Sequence, residues 1–146
     1  SGQTISQPYI VALMAEAARI APMDRVLEVG AGSGYAAAVL GRLASHVVAV
    51  ERHGVLAQAA QDRLHRLGVA NVEVVGGDGT LGWPALAPFD AIIVSAGGPR
   101  VPEALKDQLA PGGRLVIPVG PEGGPQDLLR LTRVGDGYAE ESLGLV

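Results

Sequence analysis

The chain alternates between short apolar runs and longer segments in which apolar residues recur every three or four positions. Short apolar runs bounded by glycine, proline or polar clusters are typical of buried parallel strands. Five such strands are predicted, at Val26–Val29, His46–Val50, Asn71–Val75, Phe89–Ser95 and Arg114–Val119. Helical spacing predicts helices from an N-cap at Ser6 to about Ile20, from Tyr35 onward, over Leu56–Leu67 and over Val101–Leu109.

Strands and helices alternate as far as the fifth strand, which predicts an α/β fold with a parallel sheet and right-handed crossovers. The pattern then changes. Asp127–Arg133 and Tyr138–Val146 have the pattern of two strands joined by the turn GDG, with no helix between them. We therefore expect a single domain over residues 1–146, with a mostly parallel sheet that ends in an antiparallel hairpin.

The stretch LEVGAGSGY places a glycine loop between the first strand and the helix that begins at Tyr35. Its glycines, Gly30, Gly32 and Gly34, form GxGxG, whereas a dinucleotide fingerprint would need a glycine at Ser33. Glu28 adds a carboxylate at the strand end, which would repel a pyrophosphate but attract a cationic amino-acid moiety. The combination favours S-adenosyl-L-methionine over a nicotinamide dinucleotide. The alternative is a tight strand-to-helix turn with an exposed acid.

Two further acidic residues follow strand ends, where doubly wound folds bind their ligands. Glu51 lies at the offset from the glycine loop where a carboxylate can accept both ribose hydroxyls, although a surface acid is not excluded. Asp78 could accept from an adenine amino group, and Gly79 would let the ring approach the backbone. An ordinary Asp-Gly turn is the alternative there. Trp83 is expected to pack rather than to take part in chemistry.

The composition of the chain limits which kinds of partner and metal site are expected. The net charge is −4, and no basic stripe is present, so we expect no nucleic-acid partner. The absence of cysteine excludes disulfides and thiolate metal sites. The three histidines lack metal-ligand spacing. No apolar run is long enough to span a bilayer, so no membrane partner is expected and the cytoplasm is the default location.

Six segments together resemble one family, the protein-L-isoaspartate O-methyltransferases. They occur in the family's order: GQTISQP at Gly2–Pro8, LEVGAGSGY at Leu27–Tyr35, VERH at Val50–His53, GDGTLGW at Gly77–Trp83, PFDAIIVSA at Pro88–Ala96 and LAPGGRLVIPVG at Leu109–Gly120. The glycine loop is common to many methyltransferases, whereas TISQP and GDGTLGW are more specific. The resemblance covers nearly the whole chain.

The resemblance implies a Rossmann-like class I methyltransferase fold and an S-adenosyl-L-methionine-dependent repair enzyme that esterifies L-isoaspartyl residues in damaged proteins and peptides. We expect the protein to be a monomer. Ser6 falls on the family's active-site serine, with Thr4 and Ile5 in the same loop over the cofactor. Thr4 and Ser6 could by local pattern be capping hydroxyls alone. Glu51 falls on the ribose ligand, and Asp78 with Gly79 on the adenine site.

Family members normally have a helical segment before GQTIS and a further segment after the last strand, so we expect a truncated core. Two other functions stay open. One is a carboxyl O-methyltransferase acting on the aspartate of a specific peptide. The other is a nucleoside-binding core with impaired catalysis.

Overall fold

The protein is described by a computed structural model that covers residues 8–30 and 34–146. Helices occupy Pro8–Ala17 (α1), Tyr35–Leu43 (α2), Gly54–Arg66 (α3) and Glu103–Asp107 (α4). Strands occupy Arg25–Val29 (β1), His46–Glu51 (β2), Val72–Gly76 (β3), Phe89–Val94 (β4), Leu109–Val119 (β5), Asp127–Val134 (β6) and Gly137–Leu145 (β7). Two 3-10 turns, Gly79–Leu81 and Pro84–Leu86, connect β3 to β4.

The strands form one sheet in the order β3-β2-β1-β4-β5-β6-β7. The first five strands pair in parallel, whereas β5 with β6 and β6 with β7 pair antiparallel. This order confirms the predicted parallel sheet and its C-terminal hairpin. The chain moves outward from β1 through β2 to β3 and then returns to the other side of β1 to form β4. The direction in which strands are added therefore reverses beside β1. Such a reversal opens a crevice at the carboxyl ends of the strands.

Alternate strand residues supply two hydrophobic cores, one on each face of the sheet. One core joins Val26 and Val47 to α1, α2 and α3, and the other joins Leu27 and Val48 to α4. These four strand residues are at most 1% exposed. Full burial of such side chains stabilises the fold by roughly 1.5–3 kcal/mol each. The strand tips are therefore held between two packed layers.

The first helix ends at Ala17, earlier than the predicted Ile20. Arg19 adopts a positive φ of 52°, which cannot continue a helix. Two arginines of the sheet donate hydrogen bonds to the carbonyl oxygens at this helix end. Arg114 of β5 donates to the Ala18 oxygen at 2.7 Å, and Arg130 of β6 donates to the Ala17 oxygen at 3.1 Å. Cations at a helix C-terminus are favourable because they satisfy its unpaired carbonyls.

The fourth helix is shorter than predicted, because Leu109 belongs to β5 and pairs with Phe89. The strand passes through Gly112, whose φ of 75° lets the chain bend before it pairs again from Arg114. The apolar residues near Leu109 therefore fill a strand position rather than a helix face. Among the described helices, none is long and apolar enough to cross a membrane.

Candidate active site

The glycine turn after β1 contains two residues that need a backbone free of side-chain constraint. Gly30 has a φ of 92° and Gly34 a φ of 88°, values that favour glycine strongly. The Gly30 N–H donates to the Val50 carbonyl at 2.8 Å, which ties the turn to β2. A Cβ on Gly34 would lie 3.3 Å from the Ala60 oxygen, so α3 packs closely there. Gly32 lies outside the described residues.

Glu28 is fully buried, with 0% of its surface exposed. The Ser95 hydroxyl donates to Oε2 at 3.3 Å, and Oε1 has no hydrogen-bond partner within the described part of the chain. Burial, opposed by the Ser95 hydrogen bond and helped by the nearby Glu51 charge, raises the pKa of the Glu28 carboxyl to about 8. Glu28 is therefore a buried acid that holds its proton near neutral pH.

Glu51 ends β2 and is 4% exposed. Its Oε2 accepts from the Arg52 N–H at 2.9 Å, and its backbone carbonyl accepts from the Gly77 N–H at 3.1 Å. The second contact fixes the end of β2 against the segment that leaves β3. The alternative interpretation of Glu51 as a surface acid is wrong, since only 4% of the residue is exposed.

Asp78 follows β3 and acts as the N-cap of the Gly79–Leu81 turn. Its Oδ1 accepts from the Thr80 N–H at 3.0 Å and from the Thr80 hydroxyl at 2.7 Å. Arg52 lies 3.9 Å from the same oxygen. The Thr80 hydrogen bonds, helped by the Arg52 charge, hold the pKa of Asp78 below its usual value. All of these contacts use Oδ1, so Oδ2 has no partner among the described residues.

Gly79 and Gly82 keep the Asp78 turn close to the sheet. A Cβ on Gly79 would collide with the Val29 side chain at the end of β1, and a Cβ on Gly82 would collide with the Gln108 amide. Gln108 is 8% exposed, accepts from the Trp83 N–H at 2.9 Å and donates to the Leu81 carbonyl at 2.9 Å. The turn is thus anchored by the buried side-chain amide of Gln108, which lies between α4 and β5. Trp83 packs against the hydrophobic core on the α4 face of the sheet, as predicted.

A cavity of about 670 Å³ opens beside this turn. Its lining comprises Val29, the turn Gly79–Leu81, the continuous segment from Ala96 to Leu105, and the strand residues Val94 and Ile117. Volumes of this size are typical of small-molecule sites. Glu28, Glu51 and Asp78 are not among its lining residues. The cavity therefore lies on the α4 face of the sheet and reaches Val29 and Gly79, the sequence neighbours of Glu28 and Asp78.

The strand ends bring together most of the predicted site residues that the structure describes. Glu28 and Glu51 interact electrostatically, and Gly79 contacts the strand that leads to Gly30. The predictions for Thr4, Ile5, Ser6 and Gly32 fall outside the described residues. No group of three or more potential metal ligands occurs within 8–30 and 34–146.

The sequence reasoning missed three contributors. Ser95 was seen only as the end of a strand, although a hydroxyl at a strand end opposite an acid is a usable signal. Gln108 was placed on a helix, and nothing in its local pattern indicates that it anchors a turn 25 residues away. Arg100 lies between the fourth predicted strand and the next predicted helix, where no local pattern indicates that it lines the cavity.

Comparison with known proteins supports one family. The sequence model of the protein-L-isoaspartate (D-aspartate) O-methyltransferases matches residues 1–143. A protein-L-isoaspartate O-methyltransferase of Rhodopseudomonas palustris is 60% identical over 143 residues, which cover 97% of this chain and 66% of that protein. One of Methylorubrum populi is 67% identical over 135 residues, covering 92% of this chain and 63% of that protein. The chain thus spans about two thirds of the length of these relatives.

Solved structures support the same family. A protein-L-isoaspartate O-methyltransferase superposes with a TM-score of 0.90 at 32% identity, covering 100% of this chain and 48% of that one. A Plasmodium falciparum structure described as a putative protein-L-isoaspartate O-methyltransferase, in complex with S-adenosyl-L-homocysteine, superposes with a TM-score of 0.84 at 27% identity. The superposed region covers 100% of this chain and 74% of that structure. The Rossmann-like fold expected from the sequence is therefore confirmed.

Proposed function

Since this chain belongs to the protein-L-isoaspartate (D-aspartate) O-methyltransferase family, we propose that it methylates the α-carboxyl group of L-isoaspartyl residues in damaged proteins and peptides. The methyl donor is S-adenosyl-L-methionine. The observation that carries the proposal is the pair of buried acidic side chains, Glu28 and Glu51, at the carboxyl ends of adjacent strands beside a glycine turn. Residues 1–146 would form one cofactor-binding domain of a monomeric, cytoplasmic repair enzyme.

The residues at the strand ends suit this cofactor. A ribose offers two hydroxyl donors, and the carboxylate of Glu51 is an acceptor next to the glycine turn. A cationic amino group suits the unpartnered oxygen of Glu28, and a positive charge placed there would lower the pKa of that acid. The free Oδ2 of Asp78 suits an exocyclic amino group. A Cβ added to Gly30 would lie 3.9 Å from Ser95 and from Ala96, so the glycine turn packs in van der Waals contact with the end of β4.

When bound, S-adenosyl-L-methionine supplies an electrophilic methyl group. The acceptor carboxylate is ionised near neutral pH and is itself the nucleophile, so the protein needs no strong general base. The task left to the protein is to hold the carboxylate oxygen in line with the methyl carbon. Such positioning can lower the barrier by about 7–11 kcal/mol.

We assign the orienting role to Ser6, whose hydroxyl can donate a hydrogen bond to the acceptor carboxylate. Thr4 and Ile5 would lie in the same loop over the cofactor. Ser6 need not act as a nucleophile, because the substrate already carries one. Loss of the methyl ester to a succinimide and hydrolysis of the succinimide need no further help from the enzyme.

Methyl transfer from labelled S-adenosyl-L-methionine to an isoaspartyl peptide and to its normal aspartyl twin tests the proposal. The isoaspartyl peptide should be methylated and the aspartyl peptide ignored. Equal labelling of both peptides would favour a carboxyl O-methyltransferase of broader or different specificity. Cofactor binding without labelling of either peptide would favour a nucleoside-binding core.

The Ser6→Ala variant tests the orienting role. Its turnover should fall, because the carboxylate loses a donor that holds it in line, while the dissociation constant of S-adenosyl-L-homocysteine should stay nearly unchanged. A variant with unchanged turnover would remove Ser6 from the mechanism.

A further inference from the structure

The cavity wall from Ala96 to Leu105 carries an arginine that no other described residue neutralises. Arg100 is exposed and lines the cavity. Across residues 8–30 and 34–146, it makes no hydrogen bond or ion pair. The other charged residue of the lining, Glu103, pairs with Lys106 at 3.5 Å. Within the described part of the chain, the cavity therefore presents one unpaired cation to an entering ligand, in a protein whose net charge is −4.

The backbone that carries Arg100 is held firmly. Gly97 packs so closely on Pro118 that an added Cβ would collide with the proline carbonyl oxygen. Gly98 forms a parallel bridge with Val119, and its carbonyl accepts from the Gly120 N–H at 3.0 Å. Prolines stand at positions 99 and 102, and each fixes its own φ. Arg100 thus projects from a preorganised wall.

The cavity also adjoins the proposed methyl-transfer site. Its lining also contains Val29, the residue before Gly30, and Gly79, the residue after Asp78. Ala96, which begins the arginine-bearing wall, is the nearest neighbour of Gly30, 3.9 Å from where a Cβ would lie. A peptide that presents a carboxylate near the glycine turn can therefore extend along this wall toward Arg100.

We propose that Arg100 sets a preference for isoaspartyl peptides with an acidic side chain next to the isoaspartyl residue, through an ion pair formed in this cavity. The inference rests on the proposed function and specifies its substrate class. An ion pair of this exposed kind should favour a glutamate-bearing peptide over a neutral one by about twofold to fivefold in kcat/KM. The preference should weaken as salt is added, because exposed charges are screened.

The experiment uses acetylated and amidated isoaspartyl peptides that differ only by Glu, Gln or Lys placed in turn on either side of the isoaspartyl residue. A free-carboxylate version of the Gln peptide distinguishes a terminal carboxylate from a side-chain carboxylate. We expect kcat/KM to decrease from Glu to Gln to Lys for at least one position. Arg100→Ala should abolish this order, Arg100→Glu should reverse it, and Arg100→Lys should retain it.

The matched control is Arg66→Glu, which makes the same charge change at the end of α3, a helix that packs on the face of the sheet opposite the cavity. It should keep the wild-type order. Anisotropy titrations with labelled peptides should give the same ranking in dissociation constants. The dissociation constant of S-adenosyl-L-homocysteine, measured by calorimetry, should be unchanged in all Arg100 variants.

The outcomes separate this inference from the proposed function. If isoaspartyl peptides are methylated with no flanking preference, or if Arg100→Glu keeps the wild-type order, only the inference is overturned. A change in S-adenosyl-L-homocysteine affinity would also overturn it, because the cavity would then hold the nucleotide. If no isoaspartyl peptide is methylated or bound, both the function and the inference fail.

Discussion

Replacing Glu28 with glutamine should change how the stability of the protein depends on pH. Burial raises the pKa of the Glu28 carboxyl from 4.5 to about 8. Between these two values the native state holds a proton that the unfolded chain has released. The free energy of unfolding must therefore fall as pH rises through this window. Below pH 4.5 both states are protonated, and above pH 8 the native state bears the full cost of a buried charge.

The window spans about 3.5 pH units, and each unit corresponds to about 1.4 kcal/mol, so Glu28 can lower the stability by up to about 5 kcal/mol between its two ends. A glutamine cannot ionise. Its amide group would leave the position of Oε1 without a partner among the described residues, at a cost of about 1–3 kcal/mol that does not vary with pH. The wild-type protein should thus lose stability relative to Glu28→Gln as pH rises.

Urea unfolding at pH 5, 6, 7 and 8 for both proteins measures the effect as a difference, in which the titrating groups that do not interact with Glu28 cancel. Glu51→Gln, measured in the same way, should lower the midpoint of the Glu28 titration, because it removes a neighbouring negative charge. Glu73→Gln, on the exposed side of β3, is the control for an amide substitution on a strand. Wild-type and Glu28→Gln curves that run parallel across the window would refute the argument.

Three other substitutions test separate parts of the site. Glu51→Gln should weaken S-adenosyl-L-homocysteine binding by about tenfold to a hundredfold, since a charged acceptor is lost; calorimetry measures it, and unchanged affinity would exclude Glu51 as a ligand. Gly97→Ala should destabilise the protein by about 1–3 kcal/mol, because its Cβ collides with the Pro118 carbonyl, whereas Gly98→Ala, with no atom within 4 Å, should be tolerated in thermal unfolding. Gln108→Leu should cost about 1–3 kcal/mol in urea unfolding, because two part-buried backbone groups lose their partner, and a cost under about 0.5 kcal/mol would contradict the anchoring role.

The sequence determined the order of strands and helices along the chain and the residues at the carboxyl ends of the strands. Apolar runs and glycine signals act locally, so the strands that contain Leu27, Val48 and Ile92 were predicted within a few residues of their ends. The positive φ angles of Gly30 and Gly34 follow from the same local requirement, since the chain must turn sharply from β1 into α2. Parallel pairing then places Glu28 and Glu51 at one edge.

Only the tertiary structure decided what surrounds these residues. Leu109 joins β5 instead of α4 because Phe89 offers it a strand partner, which no local pattern reveals. The high pKa of Glu28 depends on its complete burial and on Glu51 from the next strand. The anchoring of the Asp78 turn by Gln108 and the unpaired charge of Arg100 in the cavity arise in the same way. Desolvation and hydrogen bonding depend on distances between residues far apart in sequence, and folding alone sets those distances.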